Sequence, residues 1–175
     1  MRRFDYSFLD NGMLPAKLVG ITGNIYSLRT AASVRKEDHA QVFTELEEIA
    51  KIQSVKSSNA IEGIVTSDQR IAAIVRQSSA PRNHDEAEIA GYRDALNRIH
   101  TGYEHLRFSE RTILLLHEMM MTPAGDELAG QYKQTDNVIV EIDANGTRRV
   151  RFCPVPAAET KAALLSLKEA VNYEE

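Results

Sequence analysis

Two side chains able to act together stand at Ser58 and Glu62, in the stretch Ser57-Ser58-Asn59-Ala60-Ile61-Glu62-Gly63. Residues four apart on an α-helix lie within about 40° of each other, because successive residues turn by about 100°. A hydroxyl and a carboxylate therefore share one side of the last turn of a helix, and Gly63 is a residue type that ends helices. The carboxylate is poorly placed for the helix itself. The macrodipole puts partial negative charge at that end and disfavours a lone anion by about 0.3–1 kcal/mol. A cation elsewhere in the fold would offset that cost, so the position predicts a basic partner for Glu62. Such pairs are commonly solvated decoration, and this one gains meaning only from what surrounds it.

Elsewhere the residue types that carry chemistry do not converge. Neither common glycine-rich phosphate loop is present, nor a Cys/His metal cluster. His117-Glu118 opens a zinc-protease-like pattern, but Met121 stands where its second histidine belongs. His39, His84, His100, His105 and His117 lack ligand spacing to a nearby Asp, Glu or Cys set, so each reads as a surface or core histidine. Cys153, the single cysteine, has no partner for an internal disulfide and fits a reducing compartment. Between Phe152 and Pro154 it reads as a structural thiol. The residues alone predict no catalytic group and no metal ligand.

The elements that must position Ser58 and Glu62 are helical. Pro15 suits a first helical turn, and Leu18, Ile21, Ile25 and Leu28 carry a helix to about Val34. Gly20 and Gly23 either weaken it, by about 1 kcal/mol each, or permit close helix packing. The helix over about 39–62 is stronger. Val42, Leu46, Ile49, Ile52 or Gln53, and Val55 form its expected buried stripe, with Glu47 and Lys51 spaced for an ion pair on the other side. Thr66 or Ser67 caps a short helix through Ile71, Ile74 and Val75. A loop containing Pro81 follows, and then Asp85 and Glu86 open a long helix. Its stripe of Ile89, Tyr92, Leu96, Ile99, Tyr103 and Leu106 predicts five turns. Ser109 caps the next helix, whose Ile113–Leu116 and Met119–Met121 are apolar nearly all round, which predicts a central, buried element. After Pro123 the period becomes two: Val138, Val140 and Ile142, then Asp143-Ala144-Asn145-Gly146, then Val150 and Phe152. That is a hairpin signal, and a hairpin embedded in a helical chain fits an appendage over a site. A last helix begins near Ala157. The fold class predicted is mainly α with one β-hairpin.

Composition narrows the function classes. The 175 residues carry a formal charge of -4, no Trp and 6% aromatics, which speaks against a nucleic-acid partner. Two arginines near the N-terminus have no apolar run behind them, and no stretch approaches the roughly 20 apolar residues of a membrane span. The reading is a cytoplasmic protein with 43% apolar residues, enough for a core.

With its elements in order, the chain resembles the N-terminal part of a Fic/Doc-family protein. Ser58-Asn59-Ala60-Ile61-Glu62-Gly63 matches the family's inhibitory motif, Ser/Thr-x-x-x-Glu-Gly/Asn. Glu86-Ala87-Glu88-Ile89-Ala90-Gly91-Tyr92-Arg93-Asp94-Ala95-Leu96 resembles its early core helix, with Gly91 where the family often has Asn. Ala129-Gly130-Gln131-Tyr132-Lys133 is similar to its Ala-Gly-x-Tyr/Phe-Arg segment, with lysine for arginine. The hairpin over about 137–153, followed by Phe152-Cys153-Pro154-Val155-Pro156, resembles its flap and the start of the next helix. The resemblance covers roughly residues 13–172.

The resemblance implies a Fic-like helical bundle. Residues 1–80 would be an N-terminal helical region holding the inhibitory helix, and 81–175 the first part of the core. It implies an autoinhibited transferase that moves the AMP of ATP, with Mg²⁺, onto a Ser, Thr or Tyr hydroxyl of a target protein. Ser58, Glu62 and Gly63 would be the inhibitory residues, and Val138, Ile139, Val140, Glu141 and Ile142 the substrate flap. The family's catalytic loop, His-x-Phe-x-x-Gly-Asn-Gly-Arg-x-x-Arg, is missing here. The expectation is therefore a fragment, inactive alone, whose Glu62 in the complete protein holds the loop's second arginine. The alternative is a non-catalytic helical module that binds a peptide or a partner chain; self-association is left open in both readings.

Overall fold

The computed structural model describes residues 12–13 and 15–171. Residues 1–11, 14 and 172–175 lie outside the described residues. What is described is mainly α with one antiparallel hairpin. The order is α1 (Ala16–Asp38), α2 (Ala40–Ile61), α3 (Asp68–Val75), α4 (His84–Gly102), α5 (Glu110–Met121), β1 (Ile139–Ile142), β2 (Arg148–Phe152) and α6 (Ala157–Val171). No helix among the described residues is long and apolar enough to cross a membrane. The chain divides into two compact units, one ending at Arg93 and the other running on from Asp94, so the boundary falls inside α4.

In the first unit, α2 and α3 pack together, and α4 is tied to each by side-chain hydrogen bonds. Ser67 caps α3 by accepting the Arg70 N–H, satisfying one donor that a helix start leaves unpaired. Val55, Ile71, Ile74 and Ile89 are buried, and so are Ala87, Ala90 and Gly91 on α4. The buried side of α4 is thus built largely of small residues. The stripe expected along α2 is not buried in its first turns: Val42, Leu46 and Ile49 are each about half exposed, and burial begins near Val55. Helix α1 runs to Asp38, beyond the expected Val34, and every residue in it is exposed. Gly20 and Gly23 have nothing within 4 Å, so within the described chain they accommodate no close neighbour. Glu47 meets Lys36 across the α1–α2 junction at 2.7 Å.

In the second unit, α4 stops at Gly102, and Tyr103–His105 form a separate tight turn. The five-turn stripe therefore ends early, and Ile99 and Tyr103 are exposed. The glycine, a poor helix residue, ends what the apolar periodicity alone would have continued. Ser109 caps α5 by accepting the Thr112 N–H. No residue of α5 is fully buried, against the expectation of a central helix. An apolar helix expresses what must be covered; α6 and the 129–132 segment cover it only in part. Gly130 needs its lack of a side chain: φ is +72°, and a Cβ would lie 2.9 Å from the Glu118 Cβ. Its N–H donates to His117 Nδ1 at 2.9 Å, and the Tyr132 hydroxyl donates to Glu110 at 3.1 Å. Burial and the Glu110 carboxylate raise the Tyr132 pKa.

Candidate functional site

The last turn of α2 closes in a Schellman arrangement. Ile64 N–H donates to Asn59 O at 3.0 Å and Gly63 N–H to Ala60 O at 3.1 Å, while Gly63 takes φ +82°. Glu62 is thereby the C-cap residue, at the point where the chain turns away from the helix axis. The sequence reading of Gly63 as the helix stop and of Ser58 and Glu62 on the final turn describes this geometry. Asn59, between them, is buried and donates its amide to Val55 O at 2.8 Å. Ser58 is half-buried, while Glu62 is exposed.

Two polar side chains one turn apart thus have different surroundings. The Tyr92 hydroxyl of α4 donates to Ser58 Oγ at 2.9 Å, tying the end of α2 to α4. Glu62 has no cation within ion-pair distance among the described residues, so the basic partner its position predicts is not found there. Tyr92 is the residue that sequence reasoning missed. In the sequence it stands as one more position of the α4 stripe, and the signal for its second role is only that a half-buried tyrosine needs a partner for its hydroxyl.

A second carboxylate, Glu86, sits at the start of α4, in the opening turn where the sequence reading puts it. Glu86 is 4% exposed and accepts from Arg70 through both oxygens, Nε at 2.9 Å and Nη2 at 2.5 Å. Arg82 N–H adds a third bond at 2.9 Å, and the Glu86 N–H itself donates to Asn83 Oδ1. Arg70 also reaches Ser79 Oγ and Ala80 O, so one guanidinium gathers the whole α3–α4 loop. The bidentate guanidinium holds the Glu86 carboxyl down, from an ordinary 4.5 to about 2, against the opposing effect of burial and with help from the Arg82 N–H. Asn83 with Glu86 three residues on is a capping pattern legible in sequence; Arg70, sixteen residues upstream, is not.

The hairpin is the third element named from sequence. Ile139, Val140, Glu141 and Ile142 form β1, and Val138 falls just outside it. Pairing runs Val140 to Val150, Glu141 to Arg149 and Ile142 to Arg148, with an irregularity between Ile139 and Val140 that breaks the simple alternation. The turn is a three-residue one. Gly146 N–H donates to Asp143 O, Gly146 takes φ +81° and Asn145 keeps a negative φ, so Asn145-Gly146 is not a two-residue turn. The Asp143 carboxylate accepts the N–H groups of Thr147 and Asn145, which lowers its pKa. Every strand residue is exposed, and among the described residues the sheet has two strands, whose outer edges are open there. Cys153, just beyond β2, is exposed.

Among the described residues no three His, Cys, Asp or Glu side chains gather to hold a metal ion. No protein-family model matches the chain, and no curated protein matches it.

Proposed function

We propose that this chain is the regulatory and substrate-holding part of an autoinhibited Fic-type AMP transferase, with Glu62 as the inhibitory carboxylate. The observation that carries the reading is the end of α2: an exposed glutamate at the negative pole of a helix, next to a serine anchored by Tyr92. A carboxylate so placed is suited to meet a guanidinium brought by another segment, in a charge-assisted and bidentate contact. In this proposal that guanidinium belongs to the catalytic loop, downstream of Glu175, and ATP and Mg²⁺ are held there and not by the residues described above. Glu62 and a nucleotide phosphate then compete for one arginine. The hairpin's open edges suit an extended segment of the target protein, added as a further strand.

Those same open edges favour a second reading, a peptide-binding module without catalysis. The experiment that separates the two assays AMP transfer from ATP labelled on its α-phosphate. It compares these 175 residues with a chain extended through the downstream reading frame. The proposal expects transfer by the extended chain once Glu62 is replaced by Gly, and none by the 175 residues. Transfer by the 175 residues alone, or a downstream frame without the His…Gly-Asn-Gly-Arg pattern, overturns it.

A further inference from the structure

Few contacts hold the last turn of α2. Val55 and Asn59 are buried, but Ala60, Ile61, Glu62 and Gly63 are all exposed. The Asn59 amide donates to Val55 O, within α2 itself. Lys56, in the turn before, meets Asp68 of α3 at 2.6 Å, and that ion pair lies in solvent, where such pairs hold little. Among the described residues, the side-chain hydrogen bond that ties the last turn to another helix is the one from Tyr92 to Ser58 Oγ, at 2.9 Å. Tyr92 stands on a fixed frame. Its neighbour Arg93 donates to Ile74 O of α3 at 2.6 Å, and Arg70 of α3 holds Glu86 at the start of α4. Ser58 and Glu62 lie within about 40° of each other around the helix and about 6 Å apart along it. A bond that fixes Ser58 therefore fixes the side toward which Glu62 is displayed.

We propose that Tyr92 is a positioning residue for inhibition, acting through Ser58 to hold the end of α2 so that Glu62 meets its guanidinium already aimed. The proposal rests on the reading of Glu62 as the inhibitory carboxylate. Helix ends fray, and an exposed carboxylate on a fraying turn must be ordered each time it binds. Holding the turn beforehand removes that cost and strengthens the contact without adding a group to it. Loss of the Tyr92 hydroxyl should therefore weaken the hold of Glu62 on the arginine by about two- to tenfold, the worth of one hydrogen bond. Glu62 and a nucleotide phosphate compete for that arginine, so the loss shows as a lower KM for ATP. A loosened fold, by contrast, lowers kcat and leaves KM where it was.

The test measures labelling from ATP by the loop-containing chain as ATP is varied. Tyr92→Phe should lower KM about two- to tenfold with kcat kept. Ser58→Ala should match it, and the two changes together should do no more than either alone, because they remove one bond. In a Glu62→Gly background Tyr92→Phe should change nothing. Hydrogen exchange of the 175-residue chain reads the positioning without the chemistry. The Gly63 and Ile64 amides, which donate to Ala60 O and Asn59 O, should exchange faster in Tyr92→Phe, while the first turns of α2 keep their protection. Unchanged exchange at Gly63 and Ile64 overturns the proposal whatever the labelling. An unchanged KM in Tyr92→Phe, where Glu62→Gly lowers it, overturns the role of Tyr92 and leaves the reading of Glu62 standing. An unchanged KM in Glu62→Gly itself overturns both.

Discussion

Glu86 lies in the first turn of α4 and Glu62 at the C-cap of α2, so the two carboxylates meet helix dipoles of opposite sign. Glu86 is buried, doubly bonded by Arg70 and further held by the Arg82 N–H; Glu62 is exposed, with no cation beside it among the described residues. One carboxylate fastens the α3–α4 loop, and its charge is fully engaged by neighbours a few residues to one loop away. The other is displayed by a well-formed helix end and leaves its charge available. The contrast separates a carboxylate that builds the fold from one that no ion pair among the described residues engages. Burial and bonding, more than residue type, make the distinction.

The largest expected effect comes from the Glu86 side. Arg70→Met leaves a buried carboxylate without its guanidinium and should lower the melting temperature by on the order of 10 °C, whereas Glu62→Gln should move it by less than about 2 °C. Equal losses in a thermal melt would erase the comparison. Acid should sharpen it next. A carboxyl held at about 2 when folded, against an ordinary 4.5, contributes stability in full above pH 4.5 and loses it as pH falls toward 2, because the unfolded chain takes up the proton first. The melting temperature of wild type should therefore drop through that window, and Glu86→Gln should flatten the profile. At the other carboxylate, Gly63→Ala should cost about 1 kcal/mol in urea unfolding. Its φ of +82° is strained for alanine, although the space around it is open. Tyr92→Phe should cost a similar amount, about 0.5–1.5 kcal/mol for the hydrogen bond to Ser58. A Tyr92→Phe variant as stable as wild type would mean that Ser58 and Tyr92 do not fasten α2 to α4.

What sequence could convey follows from how local each feature is. Gly63 as the helix stop, Ser67 and Ser109 as caps, and the hairpin are local backbone chemistry, written within four or five residues of where it acts. The errors arise where contacts are distant. Periodicity marked Ile99, Tyr103 and the early part of α2 for burial, but which apolar stripe finds a partner is a tertiary matter; the interior of α4 is lined by Ala87, Ala90 and Gly91. Small residues carry little hydrophobic signal, yet they are the ones that let helices approach. Arg70 and Glu86 are sixteen residues apart, beyond any helical or strand spacing, so their pairing had no sequence signature. Ser58 and Glu62 were readable as a pair, whereas the hydroxyl that Ser58 meets, on Tyr92, was not.

The central claim is that Glu62 restrains a transfer reaction without supporting the fold. It is tested most directly by measuring incorporation of α-phosphate label from ATP into protein by the loop-containing chain, wild type against Glu62→Gly, with a thermal melt of each. The account predicts several-fold more labelling by Glu62→Gly at a nearly unchanged melting temperature. Equal labelling by two equally folded proteins would contradict it.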